Sequence, residues 1–276
     1  MNLFRLLLLA ALLAACTAEV RESDLFRPTP GGALTEAAGY SVTEHRIPTP
    51  DGPRLYAVHL RRPGSRATIL YFGGNGYTIG RHGAWTAKMF SYLDVDLMIV
   101  DHRGYGLSEG VPGLAAIDDG LTAFDYLRAL VGPKGTIVVH GHSLGSFVAG
   151  HVAANRVAQG VVLESSATTA EEWAKARTPG LAKPFVKVRV ARNLRGRGNL
   201  ANMARIEEPL LLLVGEKDRT TPWTLSQSLY EASPLPENRK MLRVLESAGH
   251  NDVMTLGGTI YAYNQFLAGK VDRPAS

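Results

Sequence analysis

At 276 residues, 45% hydrophobic and 20% charged, the chain has the size and composition of a globular domain with a sizeable core. Its formal charge of +5 is modest and gives no ground for a nucleic-acid partner. No Cys/His metal spacing and no phosphate-cradling loop appear, so neither a metal nor a cofactor is expected.

The first segment reads as a targeting sequence. Met1 to Arg5 forms a short n-region with one positive charge, and Leu6 to Leu13 is almost pure Leu and Ala, too short to span a bilayer. It ends Leu13-Ala14-Ala15-Cys16, which resembles the bacterial lipobox, where cleavage precedes a cysteine that becomes acylated. Cys16 is the sole cysteine, so no intramolecular disulfide can form. The expectation is a lipoprotein signal peptide at 1–15, lipidation at Cys16, and a Pro/Gly-rich tether over 16–39. By resemblance to lipoprotein sorting rules, Thr17 in place of Asp implies a bacterial cell envelope location at the outer membrane, facing the periplasm. The membrane is then a partner through Cys16.

The body alternates strands and helices. Apolar and β-branched runs predict strands over 41–47, 55–61, 68–72, 97–101, 136–140, 161–164, 210–214 and 241–245. Helical stretches fall near 79–93, 115–131, 144–157, 222–232 and 255–268. Two strands followed by strict alternation predict an α/β fold, a mostly parallel eight-stranded sheet with helices on both faces. In such sheets the working residues stand at the carboxyl ends of strands.

Gly141-His142-Ser143-Leu144-Gly145 follows the strand at 136–140 and precedes a small-residue helix. A serine on so sharp a turn raises its hydroxyl above the sheet, and the glycines leave room for the strained backbone. Ser143 is the candidate nucleophile. A second G-x-S-x-G, at 106–110, follows a loop and runs into Val111-Pro112-Gly113, so Ser108 is read as a loop residue. After the strand at 68–72, Gly73-Gly74-Asn75-Gly76 can turn backbone N–H groups towards a ligand; with Ser143 it predicts an oxyanion hole from the N–H groups of Asn75 and Leu144. Asp101 and Arg103 in the 101–108 turn are read as loop-pinning charges. Asp218 lies just past the strand at 210–214, and His250 in the loop after the last strand. The order Ser143, Asp218, His250 is that of a nucleophile, acid and base in an α/β-hydrolase. Glu164 and Asp252 are the rival acids.

These motifs together resemble the α/β-hydrolase superfamily, in the branch that pairs an H-G-N turn with D-x-R-G-x-G-x-S, G-H-S-L-G, G-x-x-D and G-A-G-H-N-D. The resemblance runs in order over roughly 41–268, with Gly73 where the family has His and Ser247 where it has Gly. It implies a serine hydrolase of carboxylic esters or thioesters, acting on an acyl lipid, lysophospholipid or small ester through an acyl-enzyme. A peptidase of the same superfamily and an inactive binding lipoprotein are the alternatives. It also implies a hydrolase domain over 40–270.

Residues 168–206 exceed an ordinary connection and predict a cap. They carry nine Lys/Arg, including Lys187, Arg189 and Arg192, against Glu171 and Glu172. Val186, Val190 and Leu194 recur every four residues, predicting an amphipathic helix over 184–195 that packs on the body or meets anionic lipid.

Overall fold

The computed structural model describes residues 16–178 and 186–270. Ten strands follow one another in this part: β1 (Cys16–Val20), β2 (Ser41–Pro48), β3 (Arg54–Arg61), β4 (Thr68–Phe72), β5 (Asp96–Val100), β6 (Ile137–His142), β7 (Gly160–Glu164), β8 (Val186–Val190), β9 (Leu210–Gly215) and β10 (Lys240–Leu245). Eight of them form one sheet in the order β10-β9-β7-β6-β4-β5-β3-β2. Only the β2–β3 and β3–β5 pairings are antiparallel. This is an α/β-hydrolase fold, and the eight predicted strands map onto the sheet.

The apolar runs explain why both faces are covered. Ile69 and Tyr71 of β4 point to one face, with Leu97 and Ile99 of β5, and meet Ile79, Ala87 and Phe90 of helix Ile79–Phe90 and Tyr263 and Phe266 of helix Gly257–Leu267. Leu70 and Phe72 point to the other, with Val139 of β6, and meet Phe124 of helix Ala115–Val131 and Val148 and Val152 of helix Leu144–Ala153. A strand buried on both sides reads as continuous Val/Ile/Leu rather than as alternation. The sheet order reverses at β4, between β5 and β6, and the carboxyl edge there is where an open α/β sheet leaves a crevice.

Two expectations are corrected. The stretch expected to be a tether, 16–39, lies along the body as a strap. Phe26 is buried with Tyr105 and Ala116, Leu34 and Ala37 join the main core, and Pro30 bridges Gly106. Single apolar residues spaced through irregular backbone bury as well as a periodic stripe, but leave no period to read. The helix expected over 184–195 is replaced by β8 and a 3₁₀ turn, Arg192–Leu194; positions 184 and 185, and Lys183 of the basic set, lie outside the described residues. Val186-Lys187-Val188-Arg189-Val190 alternates with period two, the strand signal, and the four-residue spacing of its valines is a multiple of that period. β8 pairs in parallel with β1, so the strap and the cap share a two-stranded ribbon. The 1–15 segment lies outside the described residues, and no helix among those described is long and apolar enough to cross a membrane.

Helix Leu144–Ala153 sits so close to the sheet that a Cβ at Gly145 would stand 2.1 Å from the Phe72 carbonyl oxygen, and one at Gly141 2.1 Å from the Gly145 oxygen. Gly145→Ala should therefore cost at least about 2 kcal/mol by overpacking. Urea unfolding checks this beside Gly257→Ala, where an added Cβ meets nothing within 4 Å. Equal midpoints for the two variants would refute the close-approach argument.

Candidate active site

The β6-to-helix turn is the tightest point of the backbone. Ser143 has φ 52° and ψ −114°, a conformation that costs a residue with a Cβ roughly 1–3 kcal/mol and persists only where surrounding structure enforces it. The enforcement is visible. The Ser143 N–H donates to the Glu164 carbonyl at 2.9 Å, and the Ser143 carbonyl accepts from the Ser146 N–H at 3.0 Å and the Ser146 hydroxyl at 2.6 Å. The hydroxyl of Ser143 is thereby lifted off the helix, whose positive end lies beneath it.

The loops after β9 and β10 bring the other two groups to it. His250 Nε2 is 2.9 Å from Ser143 Oγ, and His250 Nδ1 is 2.8 Å from Asp218 Oδ2. The Asp218 carboxylate also accepts from the N–H groups of Thr220 and Thr221 on Oδ1, both at 2.8 Å, and from the Thr221 hydroxyl on Oδ2 at 2.8 Å. Burial works against its charge, but His250 and the Thr221 donors outweigh that and hold the Asp218 pKa below its ordinary value. The carboxylate is therefore ionised at neutral pH, and it orients the imidazole with Nδ1 protonated and Nε2 free to take a proton from Ser143. The backbone of His250 is fixed too: its carbonyl accepts from His142 Nε2 at 2.9 Å and from the Ser165 hydroxyl at 3.2 Å. Desolvation lowers the His142 pKa, in keeping with a neutral ring that donates this single bond.

The turn after β4 lies against Ser143. A Cβ added at Gly74 would stand 3.3 Å from Ser143 Cβ. Asn75 and Leu144 border the same cavity as Ser143 and His250. The turn is held from several sides. His102 Nε2 donates to the Gly73 carbonyl at 2.8 Å, burial keeping the His102 ring neutral. Asn75 Oδ1 accepts from the Tyr105 hydroxyl and from the Arg27 N–H of the strap, each at 2.8 Å, while Asn75 Nδ2 donates to the Leu25 carbonyl at 2.8 Å. Gly73, where the family has His, has no room for any side chain: a Cβ would fall 2.1 Å from Tyr77 Cγ. Support for the turn comes instead from His102, Tyr77 and the strap.

The rival groups are occupied elsewhere. Glu164 Oε2 bonds His140 Nε2 at 3.0 Å beneath the sheet edge. Asp252 Oδ1 caps the Gly249 N–H at 2.6 Å. Ser108 donates to the Asp101 carbonyl at 2.7 Å and accepts from the Tyr56 N–H at 2.8 Å, a structural role. Asp101 accepts the N–H groups of Ile79 at 2.7 Å and Leu107 at 3.1 Å; Arg103 clamps Asp119 at 2.5 and 2.8 Å and also binds Asp51. Both pin loops, as read from the sequence. Thr221, His142, His102, Tyr105 and the strap contacts were not foreseen. A threonine three residues after Asp218, poised to donate back to it, was the one legible hint.

In front of Ser143 opens a cavity of about 440 Å³, within the size that encloses a small organic ligand. Its apolar lining includes Leu114, Ile117, Leu144, Phe147 and Trp173. Among the described residues no group of three or more His, Cys, Asp or Glu side chains is placed to hold a metal ion.

Comparison with known proteins fits this geometry. A family model described as serine aminopeptidase, S33, matches residues 63–198, which include Ser143 but not Asp218 or His250. The zebrafish (Danio rerio) lysophosphatidylserine lipase ABHD12 is 31% identical over 182 residues, 60% of this chain; the match spans 47% of that lipase, about half its length. Uncharacterized protein MT2364 of Mycobacterium tuberculosis is 30% identical over 250 residues, covering 87% of this chain and 83% of that one. Among solved structures, the Pyrococcus furiosus esterase Pf2001 superposes with a TM-score of 0.69 at 18% identity, over 88% of this chain and 100% of the esterase; at that identity the likeness speaks for the fold.

Because Asn75 ties the strap to the turn beside Ser143, Asn75→Ala should loosen the turn without opening the core. Steady-state kinetics on a short ester should show kcat reduced roughly 10- to 100-fold, less than complete loss of an oxyanion donor, with KM changed much less. An unaltered kcat would show that the side chain does not hold the turn.

Proposed function

The chain belongs to the α/β-hydrolase superfamily, and from that premise we propose that it is a serine hydrolase cleaving carboxylic esters or thioesters through an acyl-enzyme. The observation that carries this is the continuous hydrogen-bonded series Ser143 Oγ, His250 Nε2, His250 Nδ1, Asp218 Oδ2, at 2.9 Å and 2.8 Å, at the mouth of an apolar cavity. A free serine hydroxyl is a weak nucleophile at neutral pH. As Ser143 Oγ attacks the substrate carbonyl, His250 Nε2 takes its proton, and Asp218 stabilises the imidazolium that results. The carbonyl oxygen becomes an oxyanion, which the N–H groups of Asn75 and Leu144 receive at the positive end of helix Leu144–Ala153. Collapse of the tetrahedral intermediate breaks the bond to the leaving alcohol or thiol, which takes the proton from His250. Water, deprotonated by His250, then attacks the acyl-Ser143 ester, and the proton returns to Ser143 as the acid departs.

The description of the matched family gives a second reading, a peptidase acting on an aminoacyl amide. A peptide amino terminus calls for acidic groups, and among the described residues that line the cavity Asp24 is the single carboxylate, beside Arg27, Arg177 and Arg197. The lining therefore favours an ester. The zebrafish relative's name, a lysophosphatidylserine lipase, points the same way.

Ser143→Ala should lower kcat on a p-nitrophenyl ester series at least about 1000-fold and abolish fluorophosphonate labelling. The preferred acyl length then separates a small-ester esterase from an acyl-lipid or thioester hydrolase. Wild type inert to the whole series and to the fluorophosphonate would leave a binding protein on this fold, and turnover of aminoacyl amides above esters would favour the peptidase.

The lipobox-like Leu13-Ala14-Ala15-Cys16 supports a second element of the proposal, a lipid anchor at Cys16 that holds the enzyme on the periplasmic face of a bacterial outer membrane. In a bacterial host Cys16→Ala should stop incorporation of an alkyne-labelled palmitate and move the protein from the membrane to the soluble fraction. Equal fractionation of both forms would exclude the anchor.

A further inference from the structure

Among the described residues three arginines line the cavity, each from a different element. Arg27 comes from the strap, Arg177 from the end of helix Ala170–Arg177, and Arg197 from the segment after the 3₁₀ turn Arg192–Leu194. All three are exposed, and none has a carboxylate within ion-pair distance among the described residues. The neighbouring acids are engaged. Glu171 pairs with Lys175 at 3.3 Å, and Glu172 accepts the Thr168 hydroxyl. Glu22 accepts the Leu114 N–H at 2.6 Å and Asn193 Nδ2 at 2.7 Å. Asp24, which also lines the cavity, accepts the Arg21 N–H at 2.8 Å. The Arg177 guanidinium carbon lies over the Trp173 ring, 5.1 Å from its centroid, so the ring helps place the group beside the cavity.

A charged rim over an apolar interior selects for an amphiphile. We propose that the cavity mouth is an anion subsite: the ester cleaved at Ser143 carries a phosphate or carboxylate on its leaving-group side, received by Arg177 and Arg197 with Arg27. This deepens the hydrolase reading and rests on it. The acyl group must stay bound to Ser143 after the first step while the alcohol departs. The exposed arginines therefore suit the leaving group, and the half-buried Leu114, Ile117, Leu144 and Phe147 suit the acyl chain. The basic residues that charge composition brings to the fore, Lys187 and Arg189, do not take this role: they stand exposed on β8 and outside the cavity lining.

The experiment compares two esters with one acyl chain, 1-octanoylglycerol and 1-octanoylglycerol 3-phosphate, both below micelle-forming concentration. The readout is the ratio of kcat/KM, anionic over neutral. Wild type should prefer the phosphate, and raising salt from 50 mM to 500 mM should shrink the preference, since exposed charge pairs are screened. Arg177→Gln with Arg197→Gln should cut the ratio roughly 3- to 10-fold, mainly through KM, the effect of losing two exposed ionic contacts. The Lys pair at the same positions should recover most of it, while Lys187→Gln with Arg189→Gln should keep the wild-type ratio. A carboxylate-bearing octanoyl ester in place of the phosphate distinguishes the two anions. An unchanged ratio in the Arg177/Arg197 double variant overturns the subsite. So does an equal fall in the Lys187/Arg189 variant, which would mean general surface charge. A preference seen on anionic vesicles and not with monomers also overturns it, in favour of membrane docking. Ser143→Ala turning over both esters like wild type would instead sink the hydrolase reading, so the two failures are separable.

Discussion

The arrangement depends on how closely one helix approaches one strand. Helix Leu144–Ala153 lies against the carboxyl end of β4 at a distance where the Phe72 carbonyl oxygen leaves no space for a Cβ at position 145. The chain leaving β6 must turn at once to reach that helix, and Ser143 absorbs the turn with a positive φ. The strain is modest, roughly 1–3 kcal/mol, and is offset by the bonds from Ser143 N to Glu164 and from Ser146 back to Ser143. The same approach brings the Gly73–Gly76 turn, which continues β4, against the serine, so the proposed nucleophile and oxyanion wall meet through one packing contact.

Electrostatics then assigns each carboxylate at the sheet edge a separate task. Burial pushes the Glu164 carboxyl up, but the hydrogen bond from His140 opposes this and its pKa lies below its ordinary value. Asp101 serves two backbone N–H groups, and burial pushes it up to about 7. Asp218 alone reaches His250, and its remaining acceptor capacity is filled by Thr220 and Thr221. Which acid serves the histidine is thus decided by what the others already hold. Sequence order names Asp218, but only contacts retire Glu164 and Asp252.

The parts of the fold that were legible in the sequence are those whose burial leaves a period or a motif. β4, β5, β6 and β9 are continuous apolar runs because both their faces are covered, and Gly141 and Gly145 flank Ser143 because two backbones meet there. The strap and β8 depart from the sequence expectation for physical reasons. Phe26, Leu34 and Ala37 are buried one at a time by irregular chain, which no period describes. Val186 and Val190 satisfy both a helical and an extended spacing, and pairing with β1, which is remote in sequence, decides between them. His102 and Tyr105 act through hydrogen bonds to distant partners, and such pairings are invisible until the chain is folded.

The strap gives these corrections a common consequence. A flexible tether would leave a lipid-held enzyme free to tumble, with its cavity facing any direction. Here the residues following Cys16 are paired along β8, Glu22 is bonded to both Leu114 and Asn193, and Arg27 and Leu25 are bonded to Asn75 in the turn beside Ser143. Leu25, Phe26 and Arg27 of the same segment line the cavity, so β1 and the strap fix one wall of the site through pairing with β8. The same bonds mean that removing the strap takes away support from the turn at Asn75. On this architecture the segment from Cys16 to Ala37 belongs to the same folded unit as Ser143, and its position follows from packing and hydrogen bonds, without any need for a rigid helix.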